Sequence, residues 1–217
     1  MPGLDKYAWY PTGVPNDLAV SPYGPPNPET LALFGELAPG SRILDVAGGY
    51  GRYAVPLAKA GYDVTIADID RPHLDEAARR AAELPTGSGQ ISTVEVDIVK
   101  ESIPDAPYQA ALCAGFLYLA PRGIARAVTY KVADALEPEG QLVIEFATNR
   151  DRRSADGRSL MGPGEVNYTE EEGDRLLRRL FQETGVRLGG LTRKIIHFEE
   201  PYYLHTDLLI ASGTKVG

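Results

Sequence analysis

Three aspartates stand at the ends of apolar runs, and a glycine turn follows the first. Residues 43–51 read Ile-Leu-Asp-Val-Ala-Gly-Gly-Tyr-Gly, and residues 64–70 read Val-Thr-Ile-Ala-Asp-Ile-Asp. A third run, 91–97, closes on Asp97, with Ile98 behind it. A side chain at Gly49 or Gly51 would hold the backbone away from a ligand lying across the turn, and glycine also permits positive φ there. A helix that starts after the turn aims its free N–H groups at the same ligand. Asp68, at the end of its run, can accept both hydroxyls of a ribose in charge-assisted hydrogen bonds. Residues 49–54 also satisfy the dinucleotide pattern G-x-G-x-x-G/A. Asp45 tells against a dinucleotide. An acid just before the turn would repel a pyrophosphate and would suit a ligand with a cationic amine.

These residues need a scaffold of alternating strands and helices. Residues 43–46 and 64–68 read as buried strands, with a helix over 52–60 between them. Pro56 is expected to remove a hydrogen bond from that helix and bend it slightly. Asn27-Pro28 starts a helix through Leu37, with asparagine as N-cap. Asp70-Arg71-Pro72 opens another to about Leu84, and 122–136 a third. Further strands fall at 110–115 and 141–146. Thr169-Glu170-Glu171-Glu172 is a capping box for a helix to Thr184, which Gly185 ends. Residues 187–198 and 202–212 read as a closing pair of strands. The pattern predicts an α/β, doubly wound, Rossmann-like seven-stranded sheet, and the family resemblance that follows implies that it is mostly parallel with an antiparallel last strand.

Asp45-Val46-Ala47-Gly48-Gly49-Tyr50-Gly51, followed by Asp68, resembles the first motif of the class I S-adenosylmethionine-dependent methyltransferases, an acid before G-x-G-x-G. Ala47 stands where the family usually has its first glycine. The resemblance runs from about Asn27 to the end and includes Glu137-Pro138-Glu139-Gly140, similar to the family's Leu-x-Pro-Gly-Gly turn. It is most like the tellurite-resistance and thiopurine-type small-molecule enzymes. It implies S-adenosyl-L-methionine as cofactor, held by Asp45, Ala47, Gly48, Gly49, Gly51, Asp68, Ile69, Asp97, Ile98 and Ala114, with Asp97 accepting from the adenine amino group and its neighbour packing on the ring. Tyr118 follows the fourth strand where the family faces the methyl group, so it is a candidate acceptor contact. Methyl transfer is an in-line displacement that needs mainly proximity and orientation. No catalytic triad is visible, and no general base is assigned.

Composition narrows the partners. The 217 residues carry 30 acids against 22 Lys and Arg, a net charge of −8. That disfavours a nucleic-acid footprint and fits a small-molecule acceptor. The single cysteine, Cys113, excludes an internal disulfide. The longest apolar run, 110–120, is too short to span a bilayer, and the first residues lack a signal peptide's regions. A cytoplasmic protein is expected. No Cys/His spacing suggests a metal site.

Residues 1–26 mix aromatics with prolines. They are read as a lid segment on the single domain 27–217, with Trp9 and Tyr10 as acceptor contacts. Thr148–Val166 reads as a polar loop holding Arg150, Arg152, Arg153 and Arg158. Asp151 and Asp156 among them make a solvated loop the plainer reading; as acceptor contacts the candidates are Arg150 and Arg153. His73 is expected on the exposed face of its helix, and His197 and His205 in structural roles on the last strands. Two alternatives stay open. One is a cyclase or non-catalytic binding module that keeps the same cofactor. The other, less favoured, is an NAD- or FAD-dependent oxidoreductase.

Overall fold

The computed structural model describes residues 25–161, 165–200 and 203–217. The lid expected over residues 1–26, with Trp9 and Tyr10, therefore lies almost wholly outside the described residues. Seven strands form one sheet in the order β3-β2-β1-β4-β5-β7-β6. They are β1 (Arg42–Val46), β2 (Asp63–Asp68), β3 (Ile91–Glu95), β4 (Tyr108–Ala114), β5 (Leu136–Arg153), β6 (Val186–Phe198) and β7 (Tyr203–Lys215). Strands β1 to β5 pair in parallel, β7 runs antiparallel to β5, and β6 antiparallel to β7. The sequence reading of a doubly wound sheet with a closing antiparallel strand matches this architecture.

Helices cover both faces, which is why the central strands are apolar almost without interruption. Side chains alternate between faces. Ile43, Ala110, Leu112 and Val143 pack with Leu57 of α2 (Ala54–Lys59) and Leu74 of α3 (Arg71–Ala82). Leu44, Ala111, Cys113 and Ile144 pack with Val128 of α4 (Arg122–Asp134) and Phe181 of α5 (Glu170–Glu183). The capping box of α5 forms as expected: Thr169 accepts from the Glu172 amide, and Glu172 accepts from the Thr169 amide.

Several boundaries differ from the sequence reading. Helix α1 spans only Pro28–Ala32, although Asn27 caps it as expected. In α2, Pro56 is the third residue. The amides on either side of it donate to the carbonyls four residues back, Val55 to Gly51 at 3.0 Å and Leu57 to Tyr53 at 3.1 Å, so Pro56 removes the one bond expected, to the Arg52 carbonyl. The largest difference lies in β5. It continues to Arg153 through a bulge between Thr148 and Asp151, paired with β7. The expected polar loop is therefore strand up to Arg153. A small hairpin follows, closed by Ser154 N to Arg158 O at 2.8 Å and Leu160 N to Arg152 O at 2.9 Å.

Candidate active site

The strand order reverses at β1 and β4. Open α/β sheets hold ligands at that place, beyond the carboxyl ends of the strands. A cavity of about 120 Å³ lies there, lined among others by Asp45, Gly49, Asp68, Asp97 and Ala114. Ala47, Gly48, Ile69 and Ile98 line it too. The three strand-end acids and their neighbours, far apart in sequence, thus converge. Gly51 is not among the lining residues; its φ of 83° turns the chain into α2. Ala47 has φ 52°. The residue that departs from the family's glycine thus takes a left-handed conformation, which costs an L-residue about 1–2 kcal/mol.

Each acid is held differently. Asp68 Oδ2 accepts from the Gly49 amide and Oδ1 from the Asp70 amide, both at 2.8 Å. A carboxylate has about four lone-pair directions, so capacity remains for two ribose hydroxyls. Burial pushes the Asp68 carboxyl above its usual range despite those two bonds. Asp97 lies at the cavity edge, with Lys100 Nζ at 3.0 Å. Asp45 is 2% exposed, and its Oδ2 has no hydrogen-bond partner. The backbone makes room for this carboxylate. A Cβ on Gly48 would stand 2.5 Å from Asp45 Cγ. A buried, half-unpartnered carboxylate beside a glycine turn fits a cationic amine.

Burial raises the Asp45 pKa to about 7. An unfolded aspartate titrates near 3.9. The folded state therefore holds this proton more tightly than the unfolded state does. Stability from this group is full below about pH 4 and is lost as pH rises through 7. Asp45→Asn removes the buried charge. We expect it to raise the melting temperature of the ligand-free protein by several degrees at pH 8 and by little at pH 4, while weakening S-adenosylhomocysteine binding. Thermal unfolding at the two pH values checks this; a shift of equal size at both would contradict it.

His73 corrects the sequence reading. It is buried, 8% exposed, and lines the cavity rather than the outer face. Its Nδ1 lies 3.3 Å from Asp70 Oδ2, and its ring meets Tyr50 edge-on. The first turn of α3 points back at the glycine turn, so a residue there faces the cavity.

A second cavity, of about 430 Å³, adjoins the first, and Arg52 and Tyr53 line both. Glu145 forms the floor of this junction. Tyr53 donates its hydroxyl to Glu145 Oε1, Thr30 Oγ1 donates to the same atom at 2.5 Å, and Arg52 Nη2 lies 3.5 Å from Oε2. The Asn27 amide donates to the Tyr53 hydroxyl at 2.9 Å, which ties the entry of α1 to the cluster. Tyr118 and Arg150, both expected at the acceptor, line the second cavity. The Arg150 guanidinium stacks 4.9 Å over the Tyr118 ring. Arg153 does not line it. It is exposed and pairs with Asp151 at 2.7 Å. Strand alternation explains this: 150 and 152 share one face of β5, and 151 and 153 the other.

Arg152 is therefore the residue that the sequence reading left out. It is 1% exposed and lines the second cavity with Arg150. Both guanidiniums donate to Glu165, whose side chain is fully buried. The far ends of β6 and β7, including Lys194, Ile196, His197 and Thr206, complete the wall. Residues 148–153 alternate in burial but not in polarity, so no local signal marked them as strand.

Comparison with known proteins fits this site. Residues 43–140 match the family described as a methyltransferase domain. A TehB-like S-adenosylmethionine-dependent methyltransferase from Corynebacterium glutamicum superposes with a TM-score of 0.63 at 19% identity, covering 88% of this chain and 89% of that one. The chain therefore has the fold of the S-adenosylmethionine-dependent methyltransferases, and the domain match covers 98 of its 217 residues. Among curated proteins, it is 29% identical over 170 residues to an S-adenosyl-L-methionine-dependent Diels–Alderase of Talaromyces variabilis, covering 72% of this chain and 56% of that one. It is 36% identical over 93 residues to another from Neonectria sp., covering 40% and 37%. The chain thus spans about half the length, or less, of the curated relatives it matches.

Proposed function

We propose that this protein binds S-adenosylmethionine in the acid-lined cavity and transfers its methyl group to a small acceptor in the adjoining one. The observation that carries this is the convergence of Asp45, Asp68 and Asp97 on one cavity that opens, past Arg52 and Tyr53, onto a second. A cavity lined by three acids suits a ligand with a cationic ammonium and sulfonium and opposes a pyrophosphate. Asp68 would hold the ribose hydroxyls, Asp45 the amine and Asp97 the adenine amino group, with Ile69 and Ile98 against the ring. Gly49 leaves the ligand its space. Tyr118 and Arg150 face the acceptor. The acceptor's lone pair forms the new bond to carbon as the carbon–sulfur bond breaks toward sulfur. The protein's contribution is proximity and alignment. The second cavity falls within the size range of small-molecule sites. We place the protein in the cytoplasm, where a single buried thiol is at home. Among the described residues no helix is long and apolar enough to cross a membrane.

The two Diels–Alderase relatives favour a second reading. On this fold a bound cofactor can act as a fixed positive charge beside a substrate that rearranges, with no methyl moved; fold alone does not fix the chemistry. The two readings separate on the product. Incubation of the protein and S-adenosylmethionine with a panel of oxygen, nitrogen and sulfur nucleophiles is expected to release S-adenosylhomocysteine and a product heavier by one methyl group. Conversion of a polyene substrate to an isomer of equal mass, with the cofactor unconsumed and no acceptor methylated, would establish the second reading.

A further inference from the structure

The two adjoining cavities differ in charge. Acids dominate the first. Four cationic side chains, Arg52, Arg150, Arg152 and Lys194, line the second. Glu145 faces Arg52, and Glu29 lies 3.1 Å from Lys194. Among the described residues, the carboxylate paired with Arg150 and Arg152 is that of Glu165. Both arginines are at least 96% buried, at 4% and 1% exposure. Nη1 and Nη2 of Arg150 are engaged by Glu165 and by the Val166 carbonyl, and Nη2 of Arg152 by Glu165. The Nε of each is buried with no hydrogen-bond partner. Two buried guanidiniums on one carboxylate leave a surplus positive charge. An unpaired buried charge is costly. A ligand that brings one negative charge removes the cost, and guanidinium forks match the geometry of paired oxygens.

We infer that the second cavity selects an organic anion, a carboxylate or an enolate with its charge spread over oxygen, held by Arg150 and Arg152. This deepens the proposed function and rests on its placing of the acceptor in that cavity. The donor side would then take a cation and the acceptor side an anion. The rest of the wall, with Tyr118, Ile196, Leu204 and Leu208, is apolar or aromatic, so the anion should carry a ring or chain rather than be a bare inorganic ion.

The matched probes are 2-naphthoate and 2-naphthamide, alike in shape and different in charge, with binding followed by ligand-observed NMR. A hydrogen bond to a charged partner corresponds to about ten- to a hundredfold in affinity. The naphthoate is expected to bind at least tenfold more tightly than the amide. Arg152→Gln should abolish that preference. Glu165→Gln removes the competing carboxylate and should widen it severalfold, a gain that a purely structural arginine pair would not produce. Arg152→Lys keeps the charge but loses the fork, so it should narrow the preference without abolishing it, which tests the same point should the glutamine variant fail to fold. Equal binding of the two probes, or a preference unchanged in these variants, would overturn the inference. S-adenosylhomocysteine binding is read by calorimetry on the same samples. Naphthoate preference without it would leave the anion site and end the proposed function. Its presence without naphthoate preference would do the reverse.

Discussion

Asp68→Ala is expected to weaken S-adenosylhomocysteine binding by about ten- to a hundredfold or more. The carboxylate is buried, and two backbone amides fix it, from Gly49 in the turn and Asp70 at the start of α3. Its remaining lone pairs face the cavity where a ribose would lie. Hydrogen bonds to a charged acceptor are worth about 1.5–3 kcal/mol each, and about 1.4 kcal/mol is tenfold in affinity. The alanine also releases the Gly49 amide, so the turn itself loses a support. Asp97→Ala should cost less, because in the proposed site it would meet a single amino group. Calorimetry on both variants, with thermal unfolding as the check on folding, reads the difference. An unchanged dissociation constant in folded Asp68→Ala would remove Asp68 from the cofactor site.

Glu145→Ala is expected to lower stability by about 3–5 kcal/mol, the usual cost of breaking a buried ion pair from one side. The Glu145 side chain is 4% exposed and Arg52's is 16% exposed. The change removes the carboxylate that faces Arg52 and deprives Tyr53 and Thr30 of the oxygen to which both donate. For a chain of this size 1 kcal/mol corresponds to about 2–4 °C, so the melting temperature should fall by about 10 °C. Glu145→Gln keeps an oxygen for the two hydroxyls and should fall less. A loss below about 1 kcal/mol in Glu145→Ala would show the cluster to be solvated, and the wall between the two cavities to be loosely held.

The cofactor side was legible in the sequence because its signals are local. An acid, a glycine turn and a second acid at the end of the next apolar run lie within 26 residues and are ordered along the chain. The sheet, with its closing antiparallel strand, was legible for the same reason. The second cavity was not. Its key contacts join residues far apart: Thr30 to Glu145 across 115 positions, and Arg150 and Arg152 to Glu165 across a hairpin. Glu145 sits in the middle of an apolar strand, where a carboxylate has no local reason to be. Residues 148–153 are strand in fold and loop in composition, because burial of charge by pairing leaves no apolar alternation to read. His73 escaped for a related reason. Its helix has an outer face in the sequence pattern, but the first turn of that helix opens on the cavity.

The central claim is that the acid-lined cavity takes S-adenosylmethionine rather than a dinucleotide. Isothermal titration calorimetry of the full chain with S-adenosylhomocysteine and, separately, with NAD tests it most directly. Saturable heat with S-adenosylhomocysteine and none with NAD is the expected result. Tight binding of NAD with no binding of S-adenosylhomocysteine would contradict the account.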